Sequence, residues 1–327
     1  MTQPVDRRIA RRPLLLGLAA ASFAMPSILR PRRAGAEGEV RIGYQKGSGI
    51  LLQLKSDESL NQKLADIGYA VTWTEFTSGP PLLEAMNAGS IDVGTTGAPP
   101  PIFAQAAGAD LVYTLATAPS PTTQAILVPK DSPIQAAADL KGKKIAVAKG
   151  SSAHALLVRA LQSGGLEWGD AEAVYLQPAD AKAAYEGGSV DAWSIWDPYY
   201  AAEEIASGAR TLLTDETVGA PNRSFYLASR RFATDHAPAL RVFDTAIGEA
   251  DAWVDAHPEE VAKAIAEQTG LPEEVTLKVE NRRLYGIGPV TPEVIADQQA
   301  LADLFFDLGI IPEKIDIASA VFAEQPV

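Results

Sequence analysis

Three times before residue 100, a short β-rich run stops at a turn of small or hydroxyl-bearing residues, and a helical stripe follows. Val40-Arg41-Ile42-Gly43-Tyr44 runs into Gln45-Lys46-Gly47-Ser48-Gly49, and residues 71–76 run into Thr77-Ser78-Gly79-Pro80-Pro81. Ile91-Asp92-Val93 passes through Gly94-Thr95-Thr96-Gly97-Ala98 and meets three prolines at 99–101. Strands that alternate with helices in this way form a largely parallel sheet, because parallel neighbours need a crossover between them. Ligands of such sheets lie outside the carboxyl ends of the strands, where these turns fall. A helix that begins at such a turn directs free N–H groups and the positive end of its dipole toward an anion. Threonine hydroxyls add donors without adding charge. The stretch 93–105 is therefore expected to carry an anion-binding corner, although an ordinary strand–turn–helix corner has the same composition.

A second unit repeats the pattern. Residues 124–128 read as a strand leaving the first unit, and residues 144–148 read as a strand ending in Lys149-Gly150-Ser151-Ser152-Ala153-His154, followed by a helix with Leu156, Leu157, Ala160 and Leu161. The turn lacks the Gly-Lys-Ser/Thr spacing of a P-loop. Val190-Asp191-Ala192-Trp193-Ser194-Ile195-Trp196-Asp197-Pro198 places two tryptophans and a carboxylate at a strand end, and its alternation turns one tryptophan inward and the other outward. Residues 222–229 form a strand able to return to the first unit. The remainder is helical at 239–257, 258–269 and 292–308, with 282–289 a loop. Two α/β units with two crossings leave a cleft between them, the architecture of hinge-closing binding proteins.

Of the 28 basic and 41 acidic residues, residues 1–36 hold seven arginines and one aspartate, so the rest of the chain carries 21 basic against 40 acidic residues, a charge of −19. Such a body excludes nucleic acid and anionic membrane surfaces as partners. With no cysteine there is no disulfide, thiolate metal site or cysteine nucleophile, and the three histidines have no metal-binding spacing. Arg11-Arg12 precedes the apolar run 14–21, and Ala34-Gly35-Ala36 has the small-x-small form of a cleavage site. The run is shorter than the ~20 residues that span a bilayer. Residues 1–36 thus read as an export signal of twin-arginine or Sec type, leaving a periplasmic protein that begins near Glu37.

The candidate ligand-binding residues follow from the turns. In the first unit they are Gln45, a neutral donor at a strand end; Ser78 and Gly79, which also suit a plain helix cap; and Thr96, Gly97 and Ala98. In the second unit they are Ser151 and Ser152, with the same double reading, and His154, three residues into a helix, where a surface histidine is equally at home. Trp196 offers an aromatic face for an alkyl chain, and Asp197 either binds an amine or holds a donor in place. Asn222 lies at the return crossing. Beside it, Arg223 either supplies positive charge to the ligand or makes a surface ion pair.

Gly43-Tyr44-Gln45-Lys46, the run from Thr77 to Asp92, Pro100-Pro101-Ile102-Phe103-Ala104-Gln105-Ala106-Ala107-Gly108, Asp139-Leu140-Lys141-Gly142-Lys143-Lys144-Ile145-Ala146-Val147 with Lys149-Gly150-Ser151-Ser152-Ala153-His154, Trp196-Asp197-Pro198-Tyr199 and Arg283-Leu284-Tyr285-Gly286 resemble the aliphatic sulfonate-binding proteins of ABC importers and their taurine, nitrate and thiamine-precursor relatives. The resemblance runs in order from about residue 39 to residue 308. It implies a type II periplasmic binding fold, with lobe one at 37–127 plus 226–327 and lobe two at 128–225. It also implies a monomer without cofactor, metal or catalysis, which captures a small-molecule sulfonate and delivers it to a membrane permease. Arg283 and Tyr285 join the candidate site on this resemblance. Other ligands fit the same fold: taurine, nitrate, an aromatic sulfonate or a thiamine-precursor pyrimidine. The fold also includes a desulfinase and a pyrimidine synthase, which rely on a reactive cysteine or a histidine cluster. The chain departs from the family at Ala98, where a carboxylate commonly follows the glycine equivalent to Gly97. Its loss disfavours an amine-bearing ligand at that spot.

Overall fold

The computed structural model describes residues 38–323. The export signal read in residues 1–36 lies outside them. Eleven strands form two sheets: β1 (Gly38–Tyr44), β2 (Tyr69–Glu75), β3 (Val93–Gly97), β4 (Leu111–Thr117), β5 (Gln124–Val128), β6 (Lys144–Val147), β7 (Glu172–Tyr175), β8 (Ala192–Trp196), β9 (Arg210–Thr214), β10 (Ser224–Ser229) and β11 (Ile287–Gly288). The first sheet has the order β11-β4-β10-β3-β1-β2, and the second has the order β7-β6-β8-β5-β9. In each, the strands of the strand–turn–helix repeat are parallel, while β10 in the first sheet and β5 in the second run antiparallel to their neighbours. Those two antiparallel strands are where the chain arrives from the other sheet.

β5 pairs with β8 and β9, and β10 pairs with β3 and β4. The chain therefore changes sheets between Thr117 and Gln124, and returns between Thr214 and Ser224. The first change falls before the expected 127/128 boundary, because residues 124–128 already belong to the second sheet. Asn222 binds the two crossings together: its Nδ2 donates to Ser120 O at 2.9 Å and to Thr123 Oγ1 at 3.0 Å.

The same local device begins the central strand of each sheet. Helix Gly79–Asn87 and helix Pro178–Glu186 end in glycines at φ +72° (Gly89) and +68° (Gly188), a left-handed conformation glycine adopts without a Cβ clash. Asp92 N–H then donates to Arg41 O, and the Asp92 carboxylate accepts Arg41 N–H at 2.9 Å; Asp191 and Lys144 repeat the exchange, both bonds being 2.8 Å. Asp92 also accepts from the Arg41 guanidinium. Each aspartate thus pins β3 to β1, or β8 to β6, just before the strand whose far end reaches the cleft.

One face of the first sheet packs Val40, Ile42 and Val93 on helices Gly49–Ser56, Ser59–Asp66, Ala237–Ala256 and Pro258–Thr269. The other packs Tyr113, Phe225 and Leu227 on helices Gly79–Asn87, Pro99–Ala106 and Pro292–Asp307. In the second sheet Trp193 is fully buried and Trp196 only half-buried, as the alternation of β8 requires. Residues 282–289 are not wholly a loop: Arg282 closes helix Glu273–Arg282, and Ile287–Gly288 adds an edge strand to β4.

Candidate functional site

One cavity of about 150 Å³ lies between the carboxyl ends of the two sheets' strands. Gln45, Gly79, Thr96, Gly97, Ser151, Ser152, Trp196, Asp197, Asn222, Arg283 and Tyr285 line it, so residues spread over 240 positions of sequence meet in one place. The sheet ends approach closely here. A Cβ added at Gly97 would lie 3.0 Å from Ser152 Cβ across the two sheets, and on the first sheet's own side one at Gly79 would lie 2.5 Å from Pro100 Cγ. Small residues at these strand ends are what permit the approach.

Three helices begin at the cavity: Gly49–Ser56, Gly79–Asn87 and Ser152–Ser163. Each has a serine at its N-cap, and none of the three hydroxyls caps its own helix. Ser48 Oγ accepts Gln45 N–H at 3.1 Å, Ser78 Oγ donates to Gln177 Oε1 at 2.9 Å, and Ser151 Oγ donates to Ala148 O at 2.7 Å. A cap normally satisfies an N–H of the first turn. Diverting Ser48 and Ser151 leaves first-turn N–H groups of helices Gly49–Ser56 and Ser152–Ser163 for whatever occupies the cavity; helix Gly79–Asn87 offers only Gly79 N–H there, because Pro80 and Pro81 carry none.

Helix Pro99–Ala106 does not join them. Pro99, Pro100 and Pro101 fill its first turn and carry no N–H, so the expected anion corner has no helix donors of its own. Its threonine hydroxyls are also engaged, Thr95 Oγ1 donating to Phe225 O at 3.1 Å and Thr96 Oγ1 to Gly97 O at 3.0 Å. The stretch shapes the wall and brings Thr95, Thr96, Gly97 and Pro100 to the cavity. The donors come from its neighbours.

Arg283 supplies the positive charge. It follows directly on helix Glu273–Arg282 with extended backbone (φ −75°, ψ 142°) and lines the cavity. Among the described residues its guanidinium makes no hydrogen bond or ion pair; the Tyr285 ring lies 5.8 Å away. Burial opposes its charge, but the nearby Glu280 carboxylate, with Tyr285, Asp197 and Tyr226, more than offsets this, and its pKa is raised. Glu280 is itself buried and accepts a short hydrogen bond from Tyr285 Oη. The cavity thus meets a permanently charged, five-donor group whose counter-charge stands behind it.

Asp197 lines the cavity, but its carboxylate is buried against the protein. Its Oδ1 accepts Ala201 N–H at 3.0 Å, and its Oδ2 is buried 3.6 Å from Arg282 Nη1. Burial pushes its pKa up to about 6. Of the two roles read from sequence, holding a donor matches this geometry; meeting a ligand amine does not. Arg223 lies off the main cavity, its Nη1 donating to Thr117 O and its Nε 3.8 Å from Asp297.

Three expected residues do not line the main cavity. Ser78 is buried at the N-cap with its hydroxyl on Gln177. Ala98 borders a separate cavity of about 40 Å³, and its carbonyl accepts Gln298 Nε2 at 2.7 Å, which turns the residue toward helix Pro292–Asp307. The missing family carboxylate would therefore project toward that smaller space. His154 is fully buried among Phe103, Trp168, Tyr175 and Phe305, with Nδ1 accepting Gly150 N–H at 3.2 Å. It lies two residues beyond Ser152, about 200° around the helix, so the two cannot share a face. The cavity is also lined by Ser120 and Thr123 on the outgoing crossing, by Gln124 at the start of β5, and by Tyr226, Asp251 and Leu284, none of which the strand-end turns supply. The hydroxyl-rich run Ser120-Pro121-Thr122-Thr123 was the available signal for the first group.

Two α/β sheets joined by two crossings, with donor-bearing strand ends around a cavity between them, define the type II periplasmic binding class. The chain belongs to the NMT1/THI5-like family, whose model matches residues 66–261. It is 43% identical over 317 residues to an Escherichia coli K12 protein named for aliphatic sulfonate binding, covering 97% of each. It is also similar to the solved alkanesulfonate-binding protein SsuA of Xanthomonas axonopodis pv. citri bound to MOPS, with TM-score 0.84 and 42% identity over 88% of this chain and 99% of that one. The periplasmic aliphatic sulphonate binding protein SsuA of Escherichia coli matches with TM-score 0.79 and 44% identity, over 88% of this chain and 92% of that one.

Proposed function

We propose that this chain is the solute-binding component of an ABC importer and captures an aliphatic sulfonate in the cavity between its sheets. The observation that carries this reading is that the N-termini of helices Gly49–Ser56 and Ser152–Ser163, each with its cap serine diverted, and the start of helix Gly79–Asn87 meet in one cavity with the unpaired guanidinium of Arg283. A sulfonate is fully ionised, offers three acceptor oxygens and donates no proton. Backbone N–H groups and a guanidinium therefore suit the oxygens of its head group. A head that must donate a hydrogen bond would leave these donors unpaired. Trp196, Ile50 and Leu284 give the tail an apolar wall.

In this reading the two sheets with their helices are lobes, and the segments 118–123 and 215–223 are the hinge. Closure buries the ligand, and the closed form is what an inner-membrane permease recognises. The protein works as a periplasmic monomer after removal of residues 1–36, by the twin-arginine or Sec route. It binds without turnover: the relatives just described are named for binding, and the chain has no cysteine to act as nucleophile.

Calorimetry of the purified protein against ethanesulfonate, butanesulfonate, octanesulfonate, taurine, nitrate and butanoate tests the ligand class. The reading predicts one-to-one binding of an alkanesulfonate more tightly than taurine, nitrate or the carboxylate. Preference for taurine or nitrate would replace the ligand, and release of sulfite from any sulfonate would replace the function.

A further inference from the structure

Arg282 and Arg283 are sequence neighbours with opposite outlooks. Arg283 lines the cavity, while Arg282 faces helix Tyr199–Ser207, which belongs to the second sheet. The Arg282 guanidinium lies over the Tyr200 ring at 3.8 Å, and its Nη2 donates to Glu204 Oε2 at 2.5 Å. Lys278, one turn earlier on the same helix, reaches the same Glu204 oxygen at 3.1 Å. Arg282 Nη1 points at Asp197 Oδ2 across 3.6 Å. Both of those atoms are buried, and among the described residues neither makes a hydrogen bond.

Buried polar atoms are nearly always hydrogen-bonded, and a buried charged pair left short of contact loses desolvation without gaining the bond. Here donor and acceptor already face each other with opposite charge. An approach of about 0.7 Å would bring them to the distance of a charge-assisted hydrogen bond. Asp197 follows β8 of the second sheet and Arg282 ends helix Glu273–Arg282, which already packs on helix Tyr199–Ser207 through Ala201, Val275 and Val279, so that approach is a small shift at a contact already formed.

We propose that Asp197 and Arg282 form an interlobe latch that ligand binding completes, which makes Arg282 a positioning residue for ligand retention. The inference rests on the reading of the chain as a solute-binding protein. Two routes connect the latch to the ligand. An anion held by Arg283 fixes the chain one residue from Arg282. On the other side, Trp196 lines the cavity next to Asp197, and Gly47 presses on the Asp197 carbonyl, 2.7 Å from where a Cβ would stand. The Asp197 side chain has little freedom of its own, because its other oxygen holds Ala201 N–H. Glu204 and Lys278 keep the guanidinium in register while the latch is open.

A double-mutant cycle on R282Q and D197N tests this in the intact protein, with butanesulfonate as ligand. Affinity is read by calorimetry and dissociation by stopped-flow tryptophan fluorescence. Each single substitution should raise Kd roughly 5- to 150-fold. The loss should lie in dissociation with association nearly unchanged, and the double variant should be no weaker than the weaker single one. R282K, which keeps the charge, should recover part of the loss. Additive effects, a loss confined to association, or wild-type affinity in R282Q would overturn the latch. Failure of the wild type to bind butanesulfonate would count against the ligand reading alone. In that event the same cycle is run with whichever anion of the calorimetry panel does bind, and additive effects there would overturn the latch.

Discussion

Gly47 of the first sheet's opening turn sits against the backbone carbonyl of Asp197 at the end of β8, and a Cβ at position 47 would stand 2.7 Å from that oxygen. The obstructing atom is backbone and cannot rotate away, so an alanine there separates the two sides of the cavity. Gly47→Ala should leave thermal stability near wild type, because Gly47 and Asp197 lie at the cavity wall and belong to none of the apolar cores. It should weaken ligand binding by about tenfold or more, within the usual range of coupling between a conformational state and a ligand. Calorimetry with differential scanning fluorimetry on the same samples checks both halves; unchanged affinity would mean that the contact has no part in closure.

Arg283 should dominate affinity. A buried guanidinium that meets an ionised partner contributes through charge-assisted hydrogen bonds, and truncating one side of such a pair costs about 2–5 kcal/mol. Arg283→Gln is expected to abolish measurable binding at micromolar sulfonate. Arg283→Lys should bind weakly, retaining the charge without the planar fork. The glutamine variant should also be less stable, because Glu280 then lies buried without its compensating cation. Titration and thermal melts separate the two effects.

Stability should respond to pH through groups of opposite sign. Burial pushes the Asp244 carboxyl up to about 7, against a partial offset from Thr114 Oγ1, which donates to its Oδ1 at 3.0 Å. Asp215 is likewise raised to about 7 by burial. The native state holds these protons more tightly than the unfolded chain, so this contribution falls as pH rises from about 4 to about 7 and then levels. His154 acts the other way. Burial lowers its pKa from 6.5 to about 4, so its contribution is complete above pH 6.5 and is lost as pH falls toward 4. Asp244→Asn keeps an acceptor for Thr114 and removes one titration. It should melt higher than wild type at pH 8 and close to wild type at pH 4.5. Equal shifts at both pH values would contradict the assignment.

Asp92 offers a control for stability without function. Asp92→Ala removes the carboxylate that holds Arg41 and pins β3 to β1, and should destabilise by about 1–3 kcal/mol. Because the pair lies at the opposite end of β3 from the cavity, affinity measured well below the melting temperature should stay near wild type. Urea denaturation and calorimetry give the two readings.

The sequence made the wall of the site legible and its donors less so. Gly79, Gly97 and Ser152 could be placed because the strand-end rule depends only on where a β-run stops and a helix starts. The rule says nothing about which groups are already engaged. It credited Thr96 with a free hydroxyl that in fact donates to a carbonyl, and it credited helix Pro99–Ala106 with N–H groups that its prolines lack. His154 was misplaced because spacing along a turn ignores rotation around the helix that follows. Ser120 lies in a crossing segment, which has no period to read, and Gln124 opens β5, an amino end that the strand-end rule ignores. Arg283 came from family resemblance alone: a single arginine after a helix gives no signal in pattern or spacing, and its role emerges only when residues 49, 197 and 285 are seen around it.

The most direct test of the central claim is a crystal structure of the protein with butanesulfonate. The account predicts that the sulfonate oxygens lie within hydrogen-bond distance of the Arg283 guanidinium and of N–H groups at the starts of helices Gly79–Asn87 and Ser152–Ser163, with the alkyl chain against Trp196. A sulfonate bound away from Arg283, or held chiefly by the threonines of the 93–105 corner, would contradict it.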